Sequence, residues 1–156
     1  PLLLVLRGQQ FLADKKLEEA TRDFEMAIEL KRDYALAYLA LSALHEGQNN
    51  LDLAISSTER AVQLARNDIS VVYQLARLYV NRNQGEDAAR AQRILIAITA
   101  RNPDHANAHF TLGTLYERQG KSSEALREFE KVRELDPKND EAIRKVQGFV
   151  PPPAQE

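Results

Sequence analysis

Residues 106–139, ANAHFTLGTLYERQGKSSEALREFEKVRELDPKN, hold two amphipathic helical runs, Ala106–Arg118 and Ser122–Leu135. A turn at Gln119-Gly120 joins them and Asp136-Pro137 closes the second. Leu112-Gly113, Tyr116, Gly120, Ala125, Phe129 and Pro137 take the seventh, eighth, eleventh, fifteenth, twentieth, twenty-fourth and thirty-second places of this stretch. Gly113 and Ala125 are small enough to let two helices approach, while Tyr116 and Phe129 fill the space beside them. The pattern recurs along the chain. Residues 1–34 set Gly8, Phe11, Ala20, Phe24 and Ala27 on the same places. Residues 35–68 keep Leu41, Ala54 and Ala61, with Ser42, His45 and Thr58 at the Gly, aromatic and Phe places. Residues 69–105 keep Leu75, Ala76, Tyr79, Ala91 and Pro103 once three extra residues are placed around 83–88. Helix pairs repeated in this way bury a continuous core by stacking on their neighbours, not one by one.

A 34-residue helix–turn–helix unit with these residues at these places resembles the tetratricopeptide repeat (TPR). The resemblance implies an all-α fold, a right-handed α-solenoid of antiparallel helix pairs wound as a superhelix. Four repeats are expected over residues 1–34, 35–68, 69–105 and 106–139, followed by a capping helix over 140–148 and a Pro-rich extended tail over 149–156. Helical periodicity predicts helices over residues 2–13, 17–31, 35–46, 51–65, 69–82, 87–101, 106–118, 122–135 and 140–147. Gly148 is expected to end the last, and Val150-Pro151-Pro152-Pro153 reads as extended polyproline.

The first helix is apolar around most of its first turn and a half. Leu2, Leu3 and Leu6 are therefore expected to form a packing surface, for upstream residues or for another copy, since the chain begins at Pro1 and reads as a piece of something longer. Singly exposed leucines are the plain alternative. No stretch approaches the roughly 20 apolar residues of a membrane span, so no membrane insertion by this segment is expected. A net charge of −2 with both signs interspersed gives no basic footprint for nucleic acid. The absence of cysteine excludes thiol chemistry and disulfides but does not choose between cytoplasm and an extracytoplasmic compartment.

Catalytic and cofactor signatures are also missing. Gly120-Lys121-Ser122 ends like a phosphate-binding loop, but Leu115 stands where the first glycine belongs and the segment joins two helices. His105 and His109 have the spacing of two metal ligands without a third nearby, and His109 stands where a large packed ring is usual. His45, at an aromatic place, reads as a packed ring with one satisfied nitrogen. Glu124, Glu128, Glu130 and Glu134 alternate with Arg127, Lys131 and Arg133 as a solvated, self-paired face, and no charge pair reads as buried. Neither an enzyme nor a bound cofactor or metal is expected.

The resemblance implies instead a protein or peptide ligand in the concave groove lined by the first helix of each pair. The places facing that groove in the family are the second, fifth, ninth, twelfth and thirteenth. In the first repeat these are Leu2, Val5, Gln9, Leu12 and Ala13, and in the second Leu36, Leu39, Ala43, Glu46 and Gly47. In the third they are Ser70, Tyr73, Arg77, Val80 and Asn81, and in the fourth Asn107, Phe110, Thr114, Glu117 and Arg118. Rings beside arginines are the composition of binding hot spots. The lysine–asparagine clamp for chaperone C-termini is absent, since Val5, Gln9, Ser70 and Gln74 occupy its places. The chain reads as a non-catalytic interaction scaffold. Its alternative is an assembly segment of a larger protein that packs through the apolar first helix. The repeats and proline tail look similar to repeat regions of bacterial envelope proteins, including membrane-anchored ones.

Overall fold

The computed structural model describes residues 1–149. The polyproline segment expected after them lies outside the described residues. Among the described residues nine α-helices follow one another: α1 (Leu2–Ala13), α2 (Leu17–Leu30), α3 (Ala35–Gly47), α4 (Leu51–Leu64), α5 (Ile69–Arg82), α6 (Asp87–Arg101), α7 (Ala106–Arg118), α8 (Ser122–Leu135) and α9 (Asp140–Phe149). Among the described residues there is no strand, and no helix is long and apolar enough to cross a membrane. The chain divides into two compact units, Pro1–Gln84 with α1–α5 and a second beginning at Gly85 with α6–α9.

The hairpin turns share one backbone device. The fifteenth place of every repeat is left-handed: Lys15 (φ 61°), Asn49 (φ 58°), Asn83 (φ 51°) and Gly120 (φ 73°). In three of the four, the next amide closes back on the helix, from Lys16 to Phe11 (2.8 Å), Asn50 to His45 (2.8 Å) and Lys121 to Tyr116 (2.9 Å). This is the helix-ending motif that satisfies orphan carbonyls and reverses the chain. The third repeat differs, and its extra residues are spread evenly. α5 has 14 residues against 13 in α7, and α6 has 15 against 14 in α8. The third extra residue lies in the turn, where a second left-handed residue, Gly85, follows Asn83.

Gly148 does not end α9, as the sequence suggested. The helix runs through it to Phe149, whose ring stacks on Phe129 at 6.3 Å and 24°. A glycine costs a helix about 1 kcal/mol relative to alanine, less than burying a phenylalanine contributes, about 1.5–3 kcal/mol.

Within the first, second and fourth hairpins, residues 16 apart close the helix–helix contact. A Cβ on Gly8 would stand 2.5 Å from Phe24 Cε1, and one on Gly113 would stand 2.8 Å from Phe129 Cε1. At the same places α3 and α4 set Ser42 and Thr58, both fully buried. Thr58 Oγ1 donates to the Ala54 carbonyl (2.9 Å). The Ser42 hydroxyl therefore donates across the hairpin to Thr58 Oγ1 (2.6 Å). One gap is closed by a ring over a glycine, the other by two short hydroxyl side chains that satisfy each other.

The same spacing holds a charge pair with a buried carboxylate that sequence reading did not anticipate. Asp23 is only 3% exposed, and Arg7 grips it with two bonds, Nε to Oδ2 and Nη2 to Oδ1, both 2.6 Å. The Arg7 bonds hold the Asp23 carboxyl below its ordinary value, against the opposing effect of burial. A carboxyl so lowered stabilises the fold fully above the ordinary aspartate range near pH 4 and loses that contribution as the pH falls through its folded value. Thermal melts from pH 6 to pH 2 should show the wild type losing stability more steeply below about pH 4 than Asp23→Asn. Parallel curves would show that the pair is not coupled to folding.

Candidate partner-binding faces

The third, seventh and tenth places of a first helix form its inward row. In α3 these are Ala37, Leu41 and Leu44, packed on the α1–α2 core. Val71, Leu75 and Leu78 of α5 are buried, as are Ala108, Leu112 and Leu115 of α7. In α1 the row is Leu3, Arg7 and Gln10, and all three are exposed. Leu3 is 81% exposed, with Leu2 and Leu6 about half exposed. Leu2, Leu3 and Leu6 are thus exposed apolar side chains, beside polar residues where the later helices bury leucine.

In the first unit, the candidate groove residues Leu36, Leu39, Tyr73 and Arg77 lie on α3 and α5. Leu36 is exposed, while Leu39, Tyr73 and Arg77 are half-buried. Arg77 Nη1 donates to Glu46 Oε1 (2.6 Å) and Nη2 to Glu46 Oε2 (2.7 Å). The guanidinium is raised above its ordinary value, first by these hydrogen bonds and against desolvation. Two side chains named separately from the sequence thus form one forked pair joining adjacent first helices. Val5 and Val80, also expected on the groove, are buried and belong to the core.

In the second unit, Phe110 is half-buried. Its ring lies 5.5 Å from that of Phe129, which also underlies Phe149. Phe110 is thus part of a core cluster with Ala125, Phe129 and Val146. Thr114 Oγ1 donates to the Phe110 carbonyl (3.0 Å). Glu117 accepts from Lys145 Nζ of α9 (2.5 Å), while Asn107 and Arg118 are exposed. Glu46 and Glu117 stand at the twelfth place of their repeats, and each takes a cation from the next first helix. The cations stand at different places, the ninth and the sixth, so no single sequence spacing marks both pairs.

His105 and His109 are engaged within the fold. His105 Nδ1 accepts from the Ala108 amide (3.1 Å), capping α7. His109 is buried, with Nδ1 against Glu128 Oε2 (2.6 Å) and Nε2 against the Pro103 carbonyl (2.9 Å). Glu128 is therefore a structural partner of α7, not a member of the self-paired solvated face. At His45, Nδ1 is buried without a hydrogen-bond partner.

The family model described as the cytochrome c-type biogenesis protein H TPR domain matches residues 18–143. The chain belongs to this TPR family. Its fold recurs in solved TPR-like structures at low sequence identity. A crystal structure of MamA protein superposes with a TM-score of 0.83 at 18% identity, over 95% of this chain and 79% of that one. MamA from Desulfovibrio magneticus RS-1 gives 0.83 at 17% identity, over 94% and 81%. YrrB, described as a TPR protein with an unusual peptide-binding site, gives 0.76 at 22% identity, over 94% and 74%. No curated protein matches the sequence. The all-α solenoid of antiparallel helix pairs is thus the TPR fold, as the repeat pattern indicated.

Proposed function

We propose that this TPR chain is a non-catalytic module that binds a segment of another protein on the faces of its first helices. The observation that carries the reading is the family match, which spans α2 to α9. The side chains suited to acid–base work also favour it: Asp23, Glu46, His109 and Glu117 are each tied into pairs that hold helices together. Because Arg77 is already neutralised by Glu46, the first-unit face favours an apolar ligand surface against Leu36, Leu39 and Tyr73 over an acidic tail. The family's name refers to cytochrome c-type biogenesis, so the polypeptide of a c-type cytochrome is the partner to test first.

Titrating overlapping peptides of such a polypeptide in a calorimeter would test this. Leu36→Asp combined with Tyr73→Ala should weaken the best peptide at least tenfold, as loss of hot-spot side chains does. Wild-type affinity in the Leu36/Tyr73 variant, with the fold intact by circular dichroism, would move the binding site elsewhere. A second reading, assembly through α1, rests on the exposure of Leu2, Leu3 and Leu6.

A further inference from the structure

The second helices of the repeats turn one face outward, and in two of them that face carries essentially one sign of charge. α2 exposes Glu18, Glu19, Glu25 and Glu29 against a single exposed cation, Arg22. One turn apart on the same helix, Met26 is 41% and Leu30 68% exposed. α6 exposes Arg90, Arg93 and Arg101 and no acid within the helix, and of these Arg90 pairs with the exposed Glu86 just before it (3.8 Å). Its outer ridge is made of Ala89, Arg93, Ile96 and Ala100, with Ala97 beside it, and Ile96 is 43% exposed. The other second helices do not share this polarisation. α4 exposes one acid, Asp52, and one base, Arg60, while α8 interleaves Arg127, Lys131 and Arg133 with its glutamates. A surface that needs only solubility is served by mixed signs.

We propose that the two faces are complementary, α2 of one copy docking on α6 of a second copy. The match is in shape as well as charge. Met26 and Leu30 are large side chains at i and i+4, standing proud of α2. The ridge on α6 is largely alanine, which lets a second helix approach and receives such side chains between its own. Glu25 and Glu29 would flank the seam on one side and the α6 arginines on the other. Scattered exposed apolar residues alone mean little. What carries the inference is their coincidence with opposite, nearly single-sign charge on two helices of one chain. Every copy owns both halves, so each can donate α2 and accept with α6. Electrostatic complementarity governs specificity and encounter more than affinity, so the association is weak and salt-sensitive. It uses second helices and leaves the proposed first-helix binding faces open.

Sedimentation equilibrium of the intact chain at about 20 mM and about 500 mM salt tests this, since screening lengths differ severalfold between them. The wild type should self-associate at low salt, with affinity falling at least tenfold at high salt. Glu25→Lys with Glu29→Lys should abolish association, and so should Arg93→Glu with Arg101→Glu. All four sites are exposed, and unchanged melting curves would show that the fold survives. An equimolar mixture of the two variants, and the fourfold variant carrying both changes, should associate again. Three outcomes overturn the proposal: a wild type that stays monomeric at low salt, reversals without effect, or a mixture that does not recover. Association abolished by Leu3→Ser with Leu6→Ser and untouched by the charge reversals would assign it to α1 instead.

Discussion

Phe129→Ala should destabilise the second unit by about 3–5 kcal/mol, the range for truncating a buried aromatic ring. Phe129 is fully buried and sits between the rings of Phe110 and Phe149, at 5.5 and 6.3 Å. Its loss removes transfer energy, two ring contacts, and the side chain that closes the gap left by Gly113. It also removes the surface on which Phe149 holds the end of α9. Hydrogen exchange should register the change in α7–α9, with α1–α3 as internal reference, because repeat arrays lose stability locally before globally. A uniform shift across both units, or a change below about 1 kcal/mol, well under the range for such truncations, would refute this reading of the cluster. The same expectation bears on the binding test. Phe110→Ala would disturb this core, so Phe110 is a poor reporter of ligand contact.

Gly113→Ala should also destabilise, although alanine is the better helix former. Helix propensity favours the substitution by about 1 kcal/mol. Overpacking opposes it by about 1–3 kcal/mol, and the geometry indicates which is larger. The new Cβ would lie 2.8, 3.0 and 3.1 Å from Phe129 Cε1, Cδ1 and Cζ. That ring cannot swing aside, because Phe110 and Phe149 pack against it. The third repeat sets Ala76 and Leu95 at the corresponding places, which suggests a compensating pair. Gly113→Ala with Phe129→Leu should be less destabilised than the sum of the two single changes, a coupling that a double-mutant cycle in urea would measure. Strict additivity would mean that the two residues do not share one space.

Much of this was legible in the sequence. The glycine–phenylalanine spacing of 16 and the Asp-Pro and Asn-Pro stops are local signals, and helix ends followed them to within a residue or two. Side-chain partners were less legible. Arg77 and Glu46 are 31 residues apart and Glu117 and Lys145 are 28 apart, so only stacking of successive first helices brings them together. Arg118 and Asn107 remain exposed at groove places, whereas Val5 and Val80 are taken into the core.

By itself, the sequence determined the class of the fold and the register of its repeats, because a 34-residue alternation of small and large residues admits few other packings. The tertiary structure decided which polar groups are spent inside the fold. Asp23 is buried because Arg7 lies across the hairpin, Glu128 turns inward to His109, and α9 continues through Gly148 because Phe149 finds the Phe129 ring. Each of these depends on the distance between two helices, and a periodic pattern gives the order of the helices without that distance.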